Sequence, residues 1–444
     1  MYKVAQGLYA DVRIENNFST IITLGKNEQK ENKERRDQGA FIRVFDGEKW
    51  YFSSISDVDR IQEELDSLAA IAGRSQDIMG HPVVSKMEVH TGDHRTYARG
   101  NVMDVDRMDK LTLLKAYRQA MQVEEVATAD VNYVDEYKVK TFWSSKGANL
   151  EYDYQRCGID IRARFSVEGK QHNERWATYG IGFSDLPSQP LGVAEMVQEC
   201  IVFTRDAVDI EPGEYPVILS PLVAGIFAHE SFGHKSEADF MLGDASALED
   251  WKIGRELGAS CLTIVDDNTL QGHGRVTFDD EGNSGKRTEL IKNGKLAGRL
   301  HNASTAAYFD EEVTGNARAM NFMHEPMVRM TSTMFEPGTD TKEDLFKGVE
   351  DGYYIHQPKH GSGTSEFTIA PSRVYRIRQG QIAEPVRVAV ATGNVFKTLY
   401  EIDGVSNSQQ MYGSVVGGCG KMGQWPLPVA MGGPFVRVKK MKLM

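Results

Sequence analysis

The chain is poor in cysteine, in proline and in long apolar runs, and it has no excess of positive charge. Its 444 residues include only 4 cysteines and 14 prolines. Cys157, Cys200, Cys261 and Cys419 are widely separated and form no Cys-x-x-Cys pair. That excludes a disulfide framework in so long a chain, and reduced, buried thiols are expected. The longest apolar stretch, Tyr215 to Ala228, is broken by Ser220, Pro221 and Gly225, and it falls short of the roughly 20 residues needed to span a bilayer. The first residues, Met1 to Gly7, lack the apolar core of a signal peptide. A cytoplasmic protein with no membrane partner is the expectation. The 51 Lys+Arg are outnumbered by 63 Asp+Glu, giving a net charge of −12. Such an acidic balance argues against a nucleic-acid partner, which calls for a basic face.

What is present is an ordinary globular mixture, 41% apolar and 26% charged. At roughly 100–200 residues per domain the length implies two or three domains. The first 55 residues alternate as strands do, with an Asp46-Gly47 hairpin turn. Val58, Ile61, Leu65 and Leu68 then predict a helix that Ser56 caps and Gly73 ends. Further helices are expected around 107–127 and 191–208, with two-residue periodicity between them from about 131 to 183. The turn Glu211-Pro212-Gly213-Glu214 marks a change of character. We place a boundary there, between a 1–209 domain of mixed α and β structure and a 210–444 domain rich in strands and glycine. Hairpin turns are expected at Asn293-Gly294 and Gln379-Gly380.

One helix stands out in the second half. Ser220 at the N-cap and Pro221 at the first helical position form a strong start signal. Leu222 to Ala228 are then apolar all round, which predicts a buried helix. It leads directly into His229-Glu230-Ser231-Phe232-Gly233-His234. Two histidines and a glutamate are costly to desolvate unless something satisfies them. A divalent metal does so through imidazole nitrogens, leaving the carboxylate free to act as a base; the competing reading is a polar cluster satisfied by backbone groups. The spacing is HExxxH. At about 100° per residue, positions i and i+5 stand about 140° apart, so both histidines reach one ion only where the helix widens or ends. Gly233 makes that distortion cheaper. A catalytic zinc normally takes three protein ligands plus water, and Cys419, in the glycine-dense Gly417-Gly418-Cys419-Gly420, is the best third candidate. The formal GxGxxG of Gly418, Gly420 and Gly423 is followed by Gln424-Trp425-Pro426 and not by a helix, so it fails as a dinucleotide site.

The stretch from Glu211 to Phe240 resembles the TldD/PmbA family of peptidases. So do Phe278-Asp279-Asp280-Glu281-Gly282, Arg329-Met330-Thr331-Ser332-Thr333, the Gly-Cys-Gly-Lys that ends at Lys421 and, more loosely, Gly39 to Phe45. The resemblance implies an α+β architecture: an N-terminal α/β domain, then a mainly antiparallel β domain with a buried metal-binding helix. It implies a zinc peptidase acting on small or unstructured peptides, with His229, His234 and Cys419 as zinc ligands and Glu230 as the catalytic general base. It also implies a dimer, either of two copies or with a degenerate TldE/PmbA-type paralogue that lacks the HExxxH residues. Departures from the family pattern are Ser332, where Asn is frequent, and the segment His360 to Glu366.

Two rival functions remain open on sequence. One is a peptide-binding, holdase-like protein with a structural zinc, which calls for a fourth protein ligand. The other is a dipeptidyl peptidase III-like enzyme, whose next helix supplies a glutamate ligand. Of the remaining polar groups, His356 and His360 straddle Pro358 and read as loop residues. Asp279-Asp280-Glu281 beside Gly282 reads as a solvated turn. Glu237 and Asp239 follow the helix closely enough to orient a ligand histidine or merely to form a solvated end.

Overall fold

In a computed structural model, which describes residues 2–363 and 366–444, the chain builds two large sheets. The first contains seven strands among the described residues. Trp50–Ile55, Gln29–Phe45, Tyr9–Gly25, Val126–Ser144 and Asn149–Val167 lie side by side, with Thr91–Asp93 at the edge, and Lys170–Gly180 also pairs with Asn149–Val167. The long neighbours are antiparallel. The helices Ile61–Ile71, Arg107–Ala120 and Leu191–Asp206 accompany this half, close to the predicted spans. Their apolar faces bury Leu65 and Leu68, Leu114 and Tyr117, and Val193, Val197 and Cys200.

The second sheet is mainly antiparallel and is organised around the last strand, Ala430–Leu443, which pairs with Gly213–Leu219, Ser332–Phe335, Ala391–Asn394 and Ile402–Tyr412. Both expected hairpins form at residues with positive φ, Asn293-Gly294 and Gln379-Gly380. The buried helix Pro221–Ala228 begins as predicted, with Ser220 Oγ accepting from the Val223 amide at 3.3 Å. It lies against the last strand, and a Cβ added at Gly225 would come within 2.1 Å of the Gly432 nitrogen. No helix among the described residues is long and apolar enough to cross a membrane.

Three sequence expectations are corrected. Asp279, Asp280 and Glu281 are not a solvated turn, since each is at most 5% exposed. Asp280 pairs with Lys140 and Arg13, and Glu281 pairs with Arg43 at 3.0 Å. Asp279 accepts from the backbone amides of Glu281, Asn283 and Ala317. Acidic residues beside a glycine sit in water only when no cation comes from elsewhere in the chain, and here the first sheet supplies three. His356 and His360 lie in a strand, Asp351–Gly363, and not in a loop. Pro358 is tolerated because it faces Pro371 of the neighbouring strand amid register shifts, where ladder donors are dispensable. Cys261 is exposed, unlike the other three cysteines. Of the departing segment His360 to Glu366, Thr364 and Ser365 lie outside the described residues.

Further polar contacts join the two sheets. His273 Nε2 bonds the Gly180 carbonyl at 3.0 Å and Nδ1 faces the Ser414 carbonyl at 3.3 Å, while Arg156 donates to the Ser414 carbonyl at 2.9 Å. Burial, with a smaller contribution from Arg156, pushes the His273 pKa down to about 4.

Two outcomes are expected. Gly225→Ala improves helix propensity but drives a methyl into backbone, and the net loss should be about 1–3 kcal/mol of stability, read as a lower denaturation midpoint; an unchanged midpoint would show that helix and strand part freely. His273 is neutral when folded and titrates near 6.5 when unfolded, so below that pH the unfolded chain takes the proton first. Stability should therefore fall as pH drops from about 6.5 to about 4, by up to about 3 kcal/mol from this residue. His273→Gln should flatten that part of the pH profile, and identical slopes would exclude the histidine as its source.

Candidate metal centre

At Ala228 the regular helix ends and one π turn follows, His229–Gly233, in which the His234 amide donates to the His229 carbonyl. The wider turn returns the side chain five residues on to the same face, which a continued α-helix does not allow. The imidazoles of His229 and His234 stand 5.1 Å apart, nearly perpendicular. Gly233 keeps ordinary helical angles, so its role differs from the one the sequence suggested. A Cβ there would lie 2.0 Å from Met330 Sδ, and the glycine is needed for space, not for an unusual conformation.

Cys419 arrives from the far end of the chain on the short strand Cys419–Lys421. Its Sγ is 3.5 Å from His234 Nε2, and one ligand atom from each of His229, His234 and Cys419 lies within 4.8 Å of the others. His229 is 1% exposed, and among the described residues neither of its ring nitrogens has a hydrogen-bond partner. Burial alone would raise the Cys419 pKa, but His229 and His234 outweigh it and hold the thiol well below its ordinary value. Burial likewise would lower the His234 pKa, and Cys419 and Glu237 raise it to about 10. Both shifts favour the thiolate, the form of cysteine that binds a metal, while His234 ligates only once its Nε2 is free of a proton.

Behind His234 lies a buried ionic group. Glu237, fully buried, faces His234 Nδ1 at 3.2 Å and accepts from the Met330 amide. This fixes the ring with Nε2 toward Cys419. Lys421 Nζ lies 3.2 Å from Glu237 and donates to Asp239 at 2.6 and 2.8 Å and to the Val328 carbonyl at 2.8 Å. Glu237 thus orients a histidine, and Asp239 acts through Lys421. The role of Lys421 escaped the sequence reading, although two-residue alternation along Cys419-Gly420-Lys421 places it on the cysteine's face. Glu230 is only half-buried and, with His234, lines a cleft of about 640 Å³.

A second group, His172, Glu174 and Cys200, has a similar donor composition. There Arg373 Nε pairs with Glu174 at 2.7 Å, and burial, with Glu174 next, pushes the Cys200 thiol up. A thiol kept protonated beside a fixed guanidinium is a poor place for a cation.

Residues 212–444 match the sequence model of the PmbA/TldA metallopeptidase C-terminal domain, and residues 10–75 match that of PmbA/TldA metallopeptidase domain 1. A metalloprotease of Synechocystis sp. is 31% identical over 98% of this chain and 94% of its own. A zinc metalloprotease TldD homologue of Saccharolobus solfataricus is 30% identical over 98% of this chain and 96% of its own. Among solved structures, TldE from Thermococcus kodakarensis superposes with a TM-score of 0.77 at 15% identity, covering 98% of this chain and 96% of that one. A Thermotoga maritima protein described as a modulator of a DNA gyrase gives 0.78 at 19%, covering 99% and 96%. Likenesses this distant in sequence speak to the fold alone. The domain matches and the full-length relatives together place the chain in the PmbA/TldD family of metallopeptidases.

Proposed function

We propose that this protein is a zinc-dependent peptidase of small or unstructured peptides, with His229, His234 and Cys419 as the ligands and Glu230 as the general base. The observation that carries the reading is His229, whose two buried ring nitrogens lack partners among the described residues, beside a second imidazole and a thiol whose pKa is drawn well down. Unpaired buried polar atoms are costly, and this donor set of two imidazoles and one thiolate suits zinc. Three ligands, not the four of a closed structural site, favour catalysis over the holdase reading. Zinc bound there supplies a Lewis acid for a water and for the scissile carbonyl.

The chain's own residues do the rest. Glu230, on the cleft wall beside His234, takes the proton of the attacking water and delivers it to the leaving amine, a role worth roughly 10²–10⁴-fold. Glu237 holds His234 in its ligating orientation, and Lys421 offsets the charge of Glu237 and Asp239. Ser362-Gly363 and Gly420 to Met422 present strand ends to the cleft. The strand Cys419–Lys421 pairs only with Gln424–Leu427 among the described residues, so an extended peptide has an edge to pair with. The same reading divides the chain near residue 210, which the start of the C-terminal domain match at residue 212 supports. It includes a dimer, either of two copies or with a TldE/PmbA-type paralogue.

Glu230→Gln should lower kcat/KM on an unstructured peptide 10²–10⁴-fold with zinc content unchanged by mass spectrometry; activity retained at full zinc loading would exclude Glu230 as the base. Cys419→Ser should weaken zinc retention against a competing chelator by more than the roughly 10–100-fold typical of losing a residue that only orients a ligand. Unaltered zinc stoichiometry in that variant would remove Cys419 from the ligand set.

A further inference from the structure

The cleft beside Glu230 and His234 continues into an apolar recess. Met241 and Trp251 form its buried part, Ala247 and Phe396 are half-buried in its wall, and Phe240 and Met422 stand at its rim, 47% and 74% exposed. Trp251 stacks on Phe232 at 5.1 Å and lies 5.9 Å from Phe396, so the aromatic wall is held from behind. Lys421, tied to Asp239, lies 4.2 Å from the Phe240 ring centre and fixes that side of the rim. Met422 has φ of 47° in the turn before Gly423. Asn or Gly suits that conformation better, yet the position presents a long apolar side chain to solvent.

We propose that this recess is the specificity pocket for one bulky apolar side chain, aliphatic or aromatic, on the peptide residue flanking the cleaved bond. Exposed apolar surface of this kind marks an interaction site. The occupant follows from continuity: the same cleft is lined by Glu230 and His234, so whatever fills the recess ends at the reacting groups. The cleft's roughly 640 Å³ lies in the range of ligand pockets. Lys235 and Asp250 line it with opposite charges, so neither sign of side chain is favoured, and the apolar wall decides.

This inference rests on the peptidase reading, and the test separates the two. Zinc-loaded Glu230→Gln protein is titrated with dye-labelled, end-blocked pentapeptides carrying Phe, Leu, Gly or Asp at one position in a glycine background. The Phe and Leu peptides should bind at least about tenfold more tightly than the Gly and Asp peptides. Adding Ala247→Phe, which fills the recess, should cut that preference to below about threefold. Met422→Asn, which suits the turn and guards against misfolding of the first variant, should weaken the Phe peptide several-fold. Equal binding of all four peptides, no binding of any, or a preference untouched by both variants would overturn the pocket. If the preference holds but protein with Glu230 intact cuts none of the peptides, the peptidase reading fails and the pocket stands. Cutting of all four peptides without preference overturns the pocket and leaves the peptidase standing.

Discussion

Two side chains five residues apart must meet, and the rest of the centre is arranged around that constraint. A regular α-helix points them in divergent directions. The chain answers with one π turn immediately after a helix so apolar that it is buried on nearly every side. The turn is possible because the helix before it is locked against the last strand through Gly225 and Gly432, and because Gly233 leaves room for Met330. Two glycines in helical backbone thus act by the space they leave, and a third metal-competent residue nearly two hundred positions later is brought within reach of the first two.

Several buried carboxylates are held by a cation that arrives from elsewhere in the chain. Asp280 with Lys140, Glu281 with Arg43, and Glu237 with Lys421 are buried but paired and hydrogen-bonded. Removing either partner would strand a charge in a medium that solvates it poorly. These pairs specify how the first sheet meets the second and how the strand of Cys419 meets the π turn. His229 differs from the other histidines: among the described residues, neither of its buried ring nitrogens has a hydrogen-bond partner. An imidazole left open beside a second imidazole and a cysteine is the feature on which the proposed metal site rests.

Much of this was legible because the signals are local. Ser220-Pro221 marks the helix start, Asn293-Gly294 and Gln379-Gly380 mark hairpins, and the His229, Glu230, His234 spacing itself demanded a widened turn. The misreadings share the opposite cause. Asp279 to Glu281 resembles a solvated turn until Arg13, Arg43 and Lys140 arrive from over a hundred residues away. His356 and His360 resemble loop residues until Pro371 is seen opposite Pro358. The role of Glu237 stayed open because its second partner, Lys421, lies far along the chain.

The contrast between the two His, Cys and carboxylate groupings shows why residue identity alone does not make a metal site. Cys200 and Cys419 are both buried thiols within reach of histidine. Cys200 faces a carboxylate already claimed by Arg373, and its proton is held more tightly than in water. Cys419 faces two imidazoles, one of them held toward its charged form by Glu237, and its pKa is drawn well below the ordinary value. Burial acts in the same direction on both sulfurs, so the sign of the neighbouring charge decides between them. In the first group a fixed arginine already sits against the carboxylate; in the second the charge beside the cysteine is carried by His234, an imidazole that can give up its proton, and that asymmetry, more than the HExxxH spacing, favours the second group as a candidate metal site.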